Sequence, residues 1–70
     1  MPTQNDRILR HIQDYGSITS MEAITEYGVT RLSGRIWDLR AAGNNIVGEY
    51  ETRMNRYGES VTFKRYRMEG

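Results

Sequence analysis

The sequence contains no cysteine, so neither a disulfide framework nor a thiolate metal site can hold its core together. Long apolar runs are also missing: no unbroken hydrophobic stretch exceeds two residues, and the mean hydropathy is −0.75. No candidate membrane span or signal-peptide core is left, and a soluble protein of the cytoplasm, the host cytoplasm if phage-encoded, is the expectation. Length is scarce as well. A chain of 70 residues buries only roughly 60% of the surface its unfolded form exposes. It is too short for a dinucleotide-binding fold or a barrel of about 200 residues or more. One small domain spanning 1–70 is expected, stabilised by packing alone.

An excess of one sign of charge is absent in total but not in distribution. The formal net charge is +1. Residues 1–30 carry Arg7 and Arg10 against Asp6, Asp14, Glu22 and Glu26, a net of −2, whereas residues 31–70 carry eight basic and five acidic side chains, a net of +3. Nine of the ten basic residues are arginine, whose planar fork of donors suits phosphates and base edges better than the point charge of lysine does.

Hydrophobic spacing reads as three helices and then two strands. Ile8, Ile12 and Tyr15 recur at helical intervals, Thr3 and Asp6 have capping-box spacing, and Gly16 is a natural stop, which predicts a helix over 4–15. Thr19 and Glu22 repeat the capping box, with Ile18 placed to staple onto Ala23. The second helix is expected over 20–27, packed through Met21, Ala23, Ile24 and Tyr27 and ended by Gly28. Ile18 also suits a very short extended segment that pairs with a later strand. Thr30 is read as the cap of a third helix over 31–42, with Leu32, Ile36 and Leu39 on one stripe and Ala42-Gly43 closing it. Only Gly28 to Thr30 separate helices two and three, a connection short enough to force a tight corner.

From Ile46 the period changes to two. Strands over 46–54 and 60–68 flank the turn signal Asn55-Arg56-Tyr57-Gly58, which predicts an antiparallel hairpin. Val61 and Phe63 share one parity while Tyr66 and Met68 share the other, so a bulge or twist is expected near Lys64 and Arg65. No segment is low in complexity.

This order is that of a winged helix-turn-helix, an α+β fold of three helices followed by a two-stranded wing. The chain also resembles small winged helix-turn-helix domains of phage and prophage genomes. The resemblance is carried by Gly16-Ser17-Ile18-Thr19-Ser20-Met21-Glu22-Ala23-Ile24, by Gly28-Val29-Thr30-Arg31-Leu32, by Arg35-Ile36-Trp37-Asp38-Leu39-Arg40-Ala41-Ala42-Gly43 and by the closing Arg65-Tyr66-Arg67-Met68. Ala23 precedes Gly28 by five positions rather than the four of unwinged repressors, so the corner departs from their strict form.

The resemblance implies binding of double-stranded DNA, with helix three in the major groove. A helical wheel turns Thr30, Gly34, Trp37, Asp38 and Ala41 away from the Leu32–Ile36–Leu39 stripe, with Arg31 just to one side. The candidate DNA-contacting residues are therefore Thr30, Arg31, Ser33, Gly34, Arg35, Trp37 and Asp38 on helix three and Arg53, Arg56, Tyr57 and Lys64 on the wing. Several have a second reading. Arg35 can pair with Asp38 one turn on, a lone tryptophan such as Trp37 is more often packing mass, and Gly34 can serve close approach within the fold. Tyr57 at the tip has no obvious core to join, and Arg40 is read as a brace for the hairpin.

Catalytic residues, metal ligands and cofactors are not expected. The single histidine, His11, is read as lying toward the solvent edge of helix one, with no second histidine or cysteine to complete a metal site. The role inferred is a transcriptional regulator of phage or mobile-element type. An architectural DNA-binding protein in recombination and a protein-interaction module on the same scaffold are the alternatives, the latter kept open by the acidic first half. No helix follows the second strand, so a monomer that self-associates on DNA is expected.

Overall fold

The computed structural model describes residues 3–69. It contains helices α1 (Gln4–Tyr15), α2 (Ser20–Tyr27) and α3 (Leu32–Ala41), with strand β1 (Ile18–Thr19) between the first two helices and strands β2 (Ile46–Met54) and β3 (Ser60–Met68) at the end. Both capping boxes form. Thr3 Oγ1 accepts from the Asp6 amide while Asp6 accepts from the Thr3 amide, and Thr19 and Glu22 repeat the exchange. Each therefore satisfies two amide donors that a helix start leaves without partners.

The α2–α3 corner depends on Gly28, which takes φ +68° and donates its amide to Ile24 O at 2.9 Å. A side chain is strained in that left-handed conformation, and the reversal places Val29 in the core three residues before α3 begins. The start of α3 differs from expectation. Arg31, not Thr30, is the cap residue, it makes no side-chain capping bond, and the helix ends at Ala41 rather than 42. Leu32 must enter the core at the first position of the helix, so the turn that would let Thr30 cap it is used up in reversing the chain.

The core is built from Ile8 and Ile12 of α1, Ile18, Ala23 of α2, Val29, the Leu32–Ile36–Leu39 stripe of α3, Ile46 and Tyr66. Three side chains expected to join it do not. Tyr15 is 75% exposed, Met21 is 70% exposed and Ile24 is also exposed. The apolar stripe of α1 runs through Ile8, His11 and Ile12 instead, so Tyr15 falls past the end of the buried face. His11, expected at the solvent edge, is 6% exposed. Its position three residues after Ile8 puts it on the same face.

The hairpin is part of a three-stranded antiparallel sheet of order β1-β3-β2. The short extended segment at Ile18 is β1, pairing Ile18 with Tyr66 and Thr19 with Arg65. The β2–β3 register runs without interruption from Ile46↔Met68 to Met54↔Ser60, so of the bulge or twist expected near Lys64 and Arg65 the bulge does not form. The parity conflict is resolved by two occupied faces. Ile46, Gly48, Tyr66 and Met68 share the core-facing side, while Phe63 and Arg65 on the opposite side are half-buried against the start of α2. Arg65 ties the elements together there, donating to Glu51 Oε1 at 2.7 Å and to Ser17 Oγ at 3.0 Å. Arg40 braces the root of the hairpin as expected, through Nε to Ile46 O at 2.8 Å.

Candidate nucleic-acid interface

Burying Leu32, Ile36 and Leu39 fixes what α3 shows to solvent, because residues off that stripe project outward. Thr30, Arg31, Ser33, Gly34, Trp37 and Asp38 are exposed, and Arg35 is half-buried on the flank. Trp37 is 71% exposed, so it is not packing mass. It follows Ile36 by about 100° of helix rotation, which carries it off the buried stripe. A Cβ built at Gly34 meets nothing within 4 Å; close approach within the fold does not account for this glycine. Arg31, Ser33, Gly34, Arg35, Trp37 and Asp38 line one open groove along the helix. Arg31 also borders a recess at the α2–α3 corner, shared with Gln4, Gly28, Val29, Thr30 and Arg35.

The expected Arg35–Asp38 ion pair does not form. Arg35 Nη2 donates instead to Gln4 Oε1 at 2.7 Å, which ties α3 to the start of α1. Asp38 makes no ion pair among the described residues; its carbonyl takes the Ala42 amide at 3.1 Å at the end of the helix. Gln4 has no signal in its own segment beyond its place in the first turn of α1, so sequence spacing could not associate it with a residue 31 positions away.

The wing positions its candidates by a different device. Asn55 Oδ1 accepts from the amides of Tyr57 at 2.9 Å and Glu59 at 3.0 Å, and the Asn55 amide donates to Glu59 O at 2.9 Å. This closes the turn with backbone and one side chain, the local competition for amides at which asparagine excels. Arg56 and Tyr57 are left at the tip, and Tyr57 is 78% exposed. Arg53 lies on the outer side of β2, paired with Glu51 at 3.3 Å.

Lys64 lies on the opposite side of the sheet from Arg53. Its stem crosses Gly48, where an added Cβ would collide with Lys64 Cε, and its ammonium is 5.3 Å from the Tyr50 ring and 5.6 Å from the Tyr66 ring. Those distances are in the range of a cation–π contact. The missing side chain at Gly48 is what lets the lysine lie flat. Tyr50 and Met54, exposed on this same side, were not among the candidates from sequence, although the strict alternation from Ile46 places them there. The structure thus gathers the α3 candidates on one helix face, with Arg56 and Tyr57 at the wing tip and Arg53 and Lys64 on opposite sides of the hairpin.

Three helices, a tight corner and a hairpin with an exposed tip make a DNA-binding architecture in general. No curated protein and no solved structure matches the chain. A family model described as a winged helix-turn-helix domain matches residues 3–69, nearly the whole sequence, and the chain belongs to that winged helix-turn-helix family.

Proposed function

We propose that this protein binds double-stranded DNA sequence-specifically, as a small transcriptional regulator of phage or mobile-element type. In this reading α3 enters the major groove and the wing reaches the adjoining backbone or minor groove. The observation that carries it is the outward face of α3. Arg31, Ser33, Gly34 and Trp37 are exposed together on a helix whose other side is fully committed to the core, and the side chains of Arg31, Ser33 and Trp37 have no hydrogen-bond partner among the described residues. Glycine in the middle of an exposed helix costs about 1 kcal/mol relative to alanine, which is reasonable where a duplex must come close. Trp37 beside it supplies an apolar surface of the kind that meets thymine methyl groups.

Contacts to phosphate are assigned to Arg31, Arg35, Arg53, Arg56 and Lys64. Five such contacts give a slope of log affinity against log salt of about −4 to −5. Fluorescence anisotropy on a duplex obtained by selection from random sequences measures this, and Arg31→Ala combined with Arg56→Ala should reduce the slope by about two. Affinity indifferent to salt, or unchanged in the double variant, overturns the reading.

An architectural role has one observation in its favour. Met54 and Tyr57 expose apolar side chains near the wing tip, a composition suited to wedging between base steps. A gel assay with permuted site positions separates the two, since strong curvature belongs to the architectural role and little curvature to a simple regulator.

A further inference from the structure

A cleft between α1 and α2, remote in composition from the α3 face, is lined by His11, Tyr15, Glu22, Glu26 and Tyr27 and encloses about 290 Å³. It shares no residue with α3 or the wing. His11 forms its floor. The Nδ1 atom shares a 2.8 Å hydrogen bond with the Tyr27 hydroxyl, the ring lies 4.7 Å from that of Tyr15, and Tyr27 meets it edge-on at 5.5 Å. The other ring nitrogen, Nε2, is buried, faces Glu22 Oε2 at 3.9 Å and has no hydrogen-bond partner among the described residues. A buried polar atom left in this state is uncommon and asks for a reason.

The walls are acidic and aromatic. Glu26 makes no ion pair among the described residues and Asp14 lies nearby, paired with Arg10 at 3.0 Å. Glu22 Oε1 is occupied by the Thr19 amide and lies 3.7 Å from Arg65, which leaves Oε2 turned toward His11 and the cleft. Tyr27 registers the local field: burial first, then Glu26, Tyr15 and Asp14, hold its hydroxyl above the ordinary phenol range, with Arg7 acting against them. Two carboxylates, an exposed tyrosine face and an unsatisfied imidazole edge are the elements that recognise a planar organic cation, by charge-assisted hydrogen bonds and by stacking. The same carboxylates repel phosphate.

We infer that the α1–α2 cleft is a docking site for an arginine side chain presented by a protein partner, stacked on Tyr15 and held by Glu22 and Glu26 over His11. The site is independent of DNA. A guanidinium in the cleft gives Glu26 the partner it lacks and brings N–H donors to the Glu22–His11 edge. Free arginine carries its own carboxylate into an acidic site, whereas a residue within a chain does not, so the peptide form is the better ligand.

The test is a nuclear magnetic resonance titration of the intact, isotope-labelled chain with acetyl-Gly-Arg-Gly-amide, with its neutral citrulline counterpart and with free L-arginine. Saturable shifts confined to the His11 ring, Tyr15, Glu22, Glu26 and Tyr27 are expected with the arginine peptide, with little response to citrulline and weaker binding of free arginine. Glu26→Gln should weaken binding by about tenfold and Tyr15→Ala by about threefold; both residues are exposed, and spectra unchanged outside the cleft confirm that the variants fold. Absence of saturation, an equal response to citrulline, shifts centred on α3, or undiminished affinity in Glu26→Gln overturns the site. Free arginine binding as tightly as the peptide overturns the protein partner.

Discussion

A methyl group added at Gly34 meets open space, and the backbone there has no positive φ to strain it. Gly34→Ala should therefore stabilise the fold by about 1 kcal/mol, seen as a rise in unfolding temperature of roughly 4–8 °C. On the proposed interface the same methyl stands between α3 and the duplex, and affinity should fall by about tenfold, the equivalent of 1.4 kcal/mol. Calorimetry and anisotropy on one variant give both values; a gain in stability with no loss of affinity would show that the duplex does not approach this position. At this scale the sequence alone says least about which side chains are buried. Periodicity identified the face bearing Ile8 and Ile12, but a polar residue at position 11 reads as solvent-facing unless its partner is known. That partner is the Tyr27 hydroxyl, 16 positions away. Trp37 shows the reverse error: composition favours burial of a lone tryptophan, and the geometry of the helix beside Ile36 overrides it.

Among the elements, legibility followed the range of the interactions that set them. Both capping boxes, the stops at Gly16 and Gly28 and the hairpin turn depend on contacts between residues at most five apart, and all were readable. The start of α3 was not, because the core's demand for Leu32 at its first position outweighs the local preference of Thr30 for a cap. The straight register of β3 also depended on something distant, the start of α2 covering Phe63 and Arg65. The wing turn offers an element-scale test. Asn55→Ala removes an acceptor used by two amides. At an exposed turn this should cost about 1 kcal/mol in denaturant unfolding, while DNA affinity should fall more than stability does, since Arg56 and Tyr57 lose their fixed placement. Equal losses would mean that the tip contributes nothing of its own to binding.

For the molecule as a whole, the near-neutral charge conceals a division of labour between its two halves. The acidic front supplies caps and the α1–α2 cleft, and the arginines behind it either brace the fold, as Arg40 and Arg65 do, or remain at the surface. Arg65 makes the fold sensitive to acid. Its hydrogen bond to Glu51, followed by burial acting in opposition and then by the Arg65 and Arg53 charges, leaves the Glu51 carboxyl below the ordinary glutamate range. A folded-state value below the unfolded one contributes stability that is complete above the unfolded value and is lost as pH falls through the folded one. Thermal stability should accordingly fall as pH drops below the ordinary glutamate range, and Glu51→Gln should flatten that part of the profile; an identical profile in the variant would assign the acid sensitivity elsewhere.

The sheet's unequal strands have a mechanical consequence. β1 holds β3 only at Tyr66 and Arg65, so from Ser60 to Lys64 β3 has a strand neighbour on one edge alone, its hairpin partner β2, in a molecule 41 Å long and 20 Å thin. The hairpin is a lever clamped at its root. A load applied at Tyr57 arrives at Ile18 and Tyr66, where α1, α2 and the sheet converge on the core. The root has three hydrogen-bonded strands and the arm two, so force on the tip is borne first by the β2–β3 ladder alone.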